Sequence, residues 1–298
     1  MESEKLNFAV DYSNISVFKD YNINDLQYPL VLSVPHSGTY FPPEFLAQVN
    51  SDEKTMRHNE DLLVDELIEP AINAGIPTIK MLVSRTFIDL NRDRLELDPT
   101  MFYNYPQNKD ILYDKHCRVG LGVVHRINYK REPLYKGLLD YNEVQKRLQN
   151  VYDVYHARLQ KIIDKCLRKF GICLVLDCHS MPSKICSIID DRSGIDICLG
   201  NLFSQSCPQE MSDFFAGRFW DKNYNVEFNC PYSGAYITFN YCQPRRKIYT
   251  LQLEINRALY ADEDNLQKND NFYQMADDVS NAIIDFAANL RRKDLFHI

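Results

Sequence analysis

Five short apolar runs, separated by helical patterns, limit what this chain can fold into more than any other feature. They are Leu30–Val34 (LVLSV), Pro77–Val83 (PTIKMLV), Ile172–Asp177 (ICLVLD), Ile195–Leu199 (IDICL) and Tyr249–Glu254 (YTLQLE). Runs this short, rich in Val, Ile and Leu and closed by polar or turn-forming residues, read as strands buried on one or both faces. Between them, Asn59–Ala74 places Leu62, Leu63, Leu67, Ile68 and Ile72 at helical spacing, with Gly75 as a C-terminal stop. Tyr141–Phe170 carries an apolar stripe from Val144 to Leu167 and closes at Gly171, while Met211–Phe219 and Asn271–Leu290 are further helices. Strands alternating with helices predict an α/β fold around a mixed, largely parallel sheet. No linker, repeat or composition break divides the 298 residues, so one domain is expected. Residues 98–135 have little periodicity and read as an insertion or a long active-site loop.

Composition removes several function classes. The charge balance, 34 − 41 = −7, argues against nucleic acid as a bulk partner. No stretch approaches the roughly 18 apolar residues of a membrane span. The opening MESEKLNFAV has no basic stretch followed by an apolar one, so a signal peptide is not expected and the reading is a soluble, cytoplasmic protein. Nine cysteines without a C-x-x-C pair give neither a zinc knuckle nor a thioredoxin-type motif. Several lie within apolar runs, where a reduced thiol acts as a small buried hydrophobe.

The chemistry gathers at the strand ends. In open α/β sheets, ligands bind beyond the carboxyl ends of the strands. There the chain places Pro35-His36-Ser37-Gly38, then Ser84-Arg85 with Asp89-Leu90-Asn91-Arg92. The later strands bring Asp177-Cys178-His179-Ser180 and Glu254-Ile255-Asn256-Arg257. His36 and His179 with one carboxylate would make the two-His, one-carboxylate zinc site of metallohydrolases, which leaves a fourth position for water. Glu60 or Asp61 could supply the third ligand, or could simply favour a helix N-terminus, and spacing does not choose.

Asp177 lies on the same strand face as His179 and could orient a ligating imidazole; capping a turn is the plainer role. Arg85, Arg92, Arg94 and Arg257 could hold a carboxylate bidentately, or form surface ion pairs with Asp89, Asp93 and Glu96. Glu254, behind an apolar stretch, suits general-base work if desolvated; a buried pair with Arg257 is the alternative. His58, His116, His125, His156 and His297 lack a second ligand type at a useful spacing and read as surface or core histidines. No G-x-G-x-x-G, P-loop or G-x-S-x-G motif occurs.

Taken in order, these segments form a recognisable series. Ser33-Val-Pro-His-Ser-Gly38 is followed by Asp61-x-x-Val64-Asp65-x-Leu67 and Ser84-Arg85-x-x-Ile88-Asp89-Leu90-Asn91-Arg92. Then come Leu176-Asp177-Cys178-His179-Ser180-Met181-Pro182, Asp196-x-x-Leu199-Gly200 and Leu253-Glu254-Ile255-Asn256-Arg257-x-Leu259-Tyr260. The series resembles the N-formylglutamate amidohydrolase family across roughly residues 28–290. Asn229-Cys-Pro-Tyr-Ser-Gly-Ala-Tyr236 is similar to that family's Asn-x-Pro-Phe-x-Gly-Gly-Tyr stretch, with part of the glycine pair replaced.

The resemblance implies a three-layer α/β/α domain of the zinc carboxypeptidase and aspartoacylase kind, with one catalytic zinc per chain. His36, Asp61 and His179 would be its ligands, Asp61 matching the family's Asp better than Glu60. Glu254 would be the general base. Asn91 and Arg92, helped by Arg85, Ser37 and Tyr236, would hold the substrate, and Arg92 would also stabilise the developing oxyanion. The implied reaction is hydrolysis of N-formyl-L-glutamate to formate and L-glutamate, the closing step of one histidine degradation route. A non-catalytic small-molecule binding protein on the same fold and a carboxypeptidase-like peptidase are the competing expectations.

Overall fold

The structure, a computed structural model, describes residues 12–108, 110–189, 194–292 and 296, so His297 lies outside the described residues. Seven strands form one sheet: β1 (Phe18–Tyr21), β2 (Leu30–Val34), β3 (Thr78–Met81), β4 (Cys173–Met181), β5 (Ile197–Gly200), β6 (Val226–Phe228) and β7 (Ile248–Asn256). Their order across the sheet is β1-β3-β2-β4-β7-β5-β6. β2 runs parallel to β3 and β4, β4 parallel to β7, and β5 parallel to β6. β5 pairs antiparallel with β7, so β5 and its parallel neighbour β6 run opposite to β2, β3, β4 and β7. The fold is the expected α/β class with a mixed, largely parallel sheet.

The residues group into two compact units. One contains the described residues up to Lys19, His36–Glu60 and Met81–Arg158; the other contains Asp20–Pro35, Asp61–Lys80 and the chain from Leu159 onward. The second unit holds β2, β4 to β7 and most of β3, and in it the two-residue period of the strands sorts the side chains cleanly. Leu30, Leu32 and Val34 of β2, Leu174, Leu176 and Cys178 of β4, and Leu251, Leu253 and Ile255 of β7 share one apolar cluster. Each buried Leu or Ile contributes about 1.5–3 kcal/mol by leaving water. Helices Val64–Leu67, Glu69–Asn73, Gln209–Trp220 and Phe272–Asn289 contribute Leu67, Ile72, Phe215, Phe219, Ile283 and Phe286 to the same cluster. The alternate residues, Ser33, Asp177, His179, Gln252 and Glu254, therefore project from the opposite face, and all are buried.

Several local expectations change. The helix expected over Asn59–Ala74 is two short helices, Val64–Leu67 and Glu69–Asn73. Leu63 caps the first in a left-handed conformation (φ 58°), and Pro70 lies in the first turn of the second, which begins at Glu69. Proline tolerates only the first turn of a helix, which explains the break. Gly75 (φ +95°) and Gly171 (φ +74°) do end their helices in the left-handed region. Tyr141–Phe170 is helical throughout, with a π-helical turn at Leu148–Tyr152. In the first unit, residues 98–135 carry a 3-10 turn at Pro99–Met101, a one-turn helix at Lys115–Arg118 and isolated bridges. All nine cysteines are free; seven are buried, and Cys230 and Cys242 are half-buried.

Candidate active site

In the second unit, β4 and β7 carry the polar side chains. Parallel register sets His179 beside Glu254, Asp177 beside Gln252 and Ser33 beside Asp177. All five side chains form a polar row on the sheet face opposite the apolar cluster. His179 is held at both ring nitrogens: Nδ1 lies 2.7 Å from Asp61 Oδ2, and Nε2 lies 2.7 Å from Asp177 Oδ2. Ser33 Oγ donates to the other oxygen of Asp177 at 3.0 Å. Burial alone would lower the His179 pKa, but the Asp177 and Asp61 carboxylates outweigh it and hold the imidazole well above its ordinary range.

Asp61 comes just before the left-handed turn at Leu63, and Tyr260 Oη fixes the next carbonyl by donating to Leu62 O at 2.7 Å. Arg257 Nη2 donates to Asp61 Oδ1 at 3.3 Å, and its Nε donates to Ser180 Oγ at 2.9 Å. Glu254 Oε1 accepts from Gln252 Nε2 at 2.7 Å, and the Glu254 side chain is buried. Helix Tyr236–Tyr241 lies over the polar row: Thr250 Oγ1 donates to Thr238 O at 2.6 Å, and Thr238 Oγ1 to Gln252 Oε1 at 3.5 Å. Tyr236, the expected substrate contact, begins this helix and is half-buried.

In the first unit the organising group is Asp89. Its Oδ1 lies 2.7 Å from His36 Nε2 and accepts from Asn91 N at 2.9 Å. Its Oδ2 accepts from Arg85 Nη2 at 2.7 Å and lies 3.3 Å from His125 Nε2. Burial would raise the Asp89 pKa, but attraction to Arg85, His36 and Arg92 holds it well below the usual carboxylate range. Burial depresses the His125 pKa despite Asp89. Asp89 is thus no surface ion-pair partner, and His125 is a core histidine paired with it.

Other contacts fix the backbone around this carboxylate. Arg92 Nε donates to Leu121 O and its Nη1 to Asn91 O, each at 3.0 Å. His156 Nε2 lies 3.0 Å from Leu90 O, and Tyr152 Oη donates to Arg92 O at 2.8 Å. Ser37 is buried, and Gly38 has no room for a side chain because a Cβ there would lie 2.4 Å from Val83 O. Glu60 pairs with Arg57 Nε at 3.0 Å. Within the first unit, the ligand-type atoms of Glu96, Asp114 and His116 lie close enough together to hold a metal ion.

The model of the N-formylglutamate amidohydrolase family matches residues 28–261. The chain belongs to this family. The chain is similar to the N-formylglutamate deformylase of Pseudomonas putida, 26% identical over 238 residues that cover 79% of this chain and 82% of that protein. The deformylase of Pseudomonas aeruginosa is 27% identical over the same length, covering 79% and 83%. The crystal structure of N-formylglutamate amidohydrolase from Ralstonia eutropha JMP134 superposes with a TM-score of 0.87 at 27% identity, over 93% of this chain and 99% of that one. A gene product of Agrobacterium tumefaciens, 15% identical with a TM-score of 0.62 over 93% and 96%, shares the fold. The family's chemistry is hydrolysis of an amide bond, as the names of these relatives state.

Proposed function

We propose that this chain hydrolyses N-formyl-L-glutamate, or a close N-formyl amino acid, to formate and the free amino acid. The observation that carries the reading is the buried row of His179, Asp177 and Glu254, with Asp61 on the His179 ring, in a chain of this family. His36, Asp61 and His179 would hold one divalent metal ion, and two imidazoles with a carboxylate are donors suited to zinc. The donor chemistry fits: Nδ1 of His179 faces Asp61, while Asp177 holds the opposite nitrogen, as a carboxylate behind a ligating imidazole does. Bound there, the ion supplies Lewis-acid polarisation of the formyl carbonyl and lowers the pKa of water from 15.7 to about 7.

The remaining work falls to the chain's own side chains. Glu254 takes a proton from the attacking water and passes it to the leaving nitrogen as the C–N bond breaks. The water oxygen stays on the formyl carbon as formate, and the amino acid departs with the transferred proton on its amine. Gln252, donating to Glu254 Oε1, keeps that carboxylate in one orientation. Arg92 and Asn91, with Arg85, would hold the substrate carboxylate, and Arg92 would also face the developing oxyanion. The Arg92 guanidinium is tied to Leu121 O and Asn91 O, so part of its ordering cost is met before substrate arrives. Ser37 and Tyr236 would complete the substrate contacts, and Asp177 is a positioning residue.

The test is formate release from N-formyl-L-glutamate by the zinc-loaded chain. Glu254→Gln should lower kcat roughly 10²–10⁴-fold, the usual worth of a positioned proton-transfer group. His179→Ala should abolish both turnover and stoichiometric zinc. Undiminished hydrolysis by a folded His179→Ala variant would end the proposal.

A further inference from the structure

The first unit holds a second set of ligand-type side chains, away from Asp89. His116 Nδ1 lies 2.7 Å from Asp114 Oδ2 and 3.1 Å from Glu96 Oε2. The three donor atoms all lie within 4.8 Å of one another. Each carboxylate is anchored by its other oxygen. Asp114 Oδ1 accepts from the backbone N–H of His116 at 2.8 Å and of Cys117 at 3.0 Å. Glu96 Oε1 accepts from Asp93 N at 2.9 Å. The two oxygens left over converge on a single ring nitrogen. One nitrogen carries at most one proton, so it satisfies two anionic acceptors poorly, whereas a divalent cation satisfies all three atoms at once.

Backbone contacts hold Glu96 against its neighbours. Glu96 O accepts from Val123 N at 2.8 Å, and Leu112 N donates to Leu95 O at 2.9 Å. A Cβ on Gly122 would lie 2.4 Å from Glu96 O, so the backbones meet at van der Waals contact. The neighbouring acid, Asp98, is occupied by Arg126 at 3.0 Å. We propose that Glu96, Asp114 and His116 bind a zinc-class divalent cation that clasps residues 96–116. One imidazole nitrogen and two carboxylate oxygens suit zinc, cobalt or manganese and leave room for water. Tying Glu96 to Asp114 and His116 closes a loop whose ends would otherwise cost entropy to hold together. This site stands independently of the ion proposed at His36, Asp61 and His179.

The full chain, stripped by chelator, is titrated with Zn²⁺ against a competing indicator, and bound metal is counted per chain. Two ions are expected on the wild type, one on His116→Ala, one on His179→Ala and none on the double variant. Glu96→Gln keeps an acceptor for Asp93 N and serves as a second variant if the alanine disturbs folding; circular dichroism of the apo forms checks this. Folded His116→Ala and Glu96→Gln chains that bind as much zinc as the wild type overturn the proposal. The trio is then an ion pair shared by one imidazole. A wild type with one ion that only His179→Ala loses overturns it as well. A single ion that only His116→Ala loses upholds this site and sinks the other one.

Discussion

Asp89 takes no solvent yet accepts from Arg85, from Asn91 N and from the imidazoles of His36 and His125. A carboxylate so enclosed is stable as an anion only because positive groups surround it. Asp89→Asn keeps the shape and removes the charge, leaving the half-buried Arg85 against a neutral amide and two imidazoles without their anion. Breaking one side of a buried pair costs about 3–5 kcal/mol, which denaturant unfolding of the variant should show. If His36 holds metal, zinc affinity should also fall roughly 10–100-fold, as when the partner behind a ligating imidazole is removed. A variant with unchanged stability would mean that Asp89 is not the organiser its contacts indicate. The sequence contained a hint, since Asp89 lies between Arg85 and Arg92, but charge spacing looks the same on a surface and in a core. His125 had no local signal, because its partner is 36 positions away.

At the scale of elements, strand interiors were easier to read than strand ends. All five expected strands exist, but β4 and β7 each run nine residues, past the apolar stretches that announced them. Polar side chains looked like terminators, yet on β4 and β7 they are paired with one another and the ladder continues beneath them. His179 and Glu254 therefore sit within strands. The antiparallel entry of β5 is a matter of topology and has no local sequence mark.

Helix Phe272–Asn289 offers a separate test through pH. Asp278 accepts from Lys222, from Tyr224 Oη at 2.8 Å and from Gln274 Nε2 at 3.0 Å. Burial opposes its ionisation, but these donors together hold its pKa below the ordinary carboxylate value. A depressed folded pKa contributes stability that is complete above the unfolded value near 3.9 and is lost as pH falls through the folded one. Wild type should therefore exceed Asp278→Asn in stability by a constant margin from pH 7 to about 5. The margin should narrow only below roughly pH 4. A gap that already closes between pH 7 and 5 would contradict this assignment.

For the whole molecule, family membership rests on residues 28–261 and agrees with the series of motifs. No helix among the described residues is long and apolar enough to cross a membrane. Metal removal is the global experiment. An ion that binds only the folded chain adds about 2.7 kcal/mol of stability when its free concentration is 100 times Kd. Chelation should lower the Tm and zinc should restore it, with His179→Ala and His116→Ala each forfeiting part of the recovery. A melting curve indifferent to chelator would count against both ions.

The alternation along β4 and β7 has a further consequence for how relatives of this chain can diverge. Leu176 and Asp177, like Leu253 and Glu254, are consecutive residues on opposite sides of the same ribbon. Deleting or inserting one codon in either strand would turn every later side chain over, sending leucines to the reactive side and acids into the hydrocarbon. Substitution can wander through these strands, but their length is fixed by arithmetic.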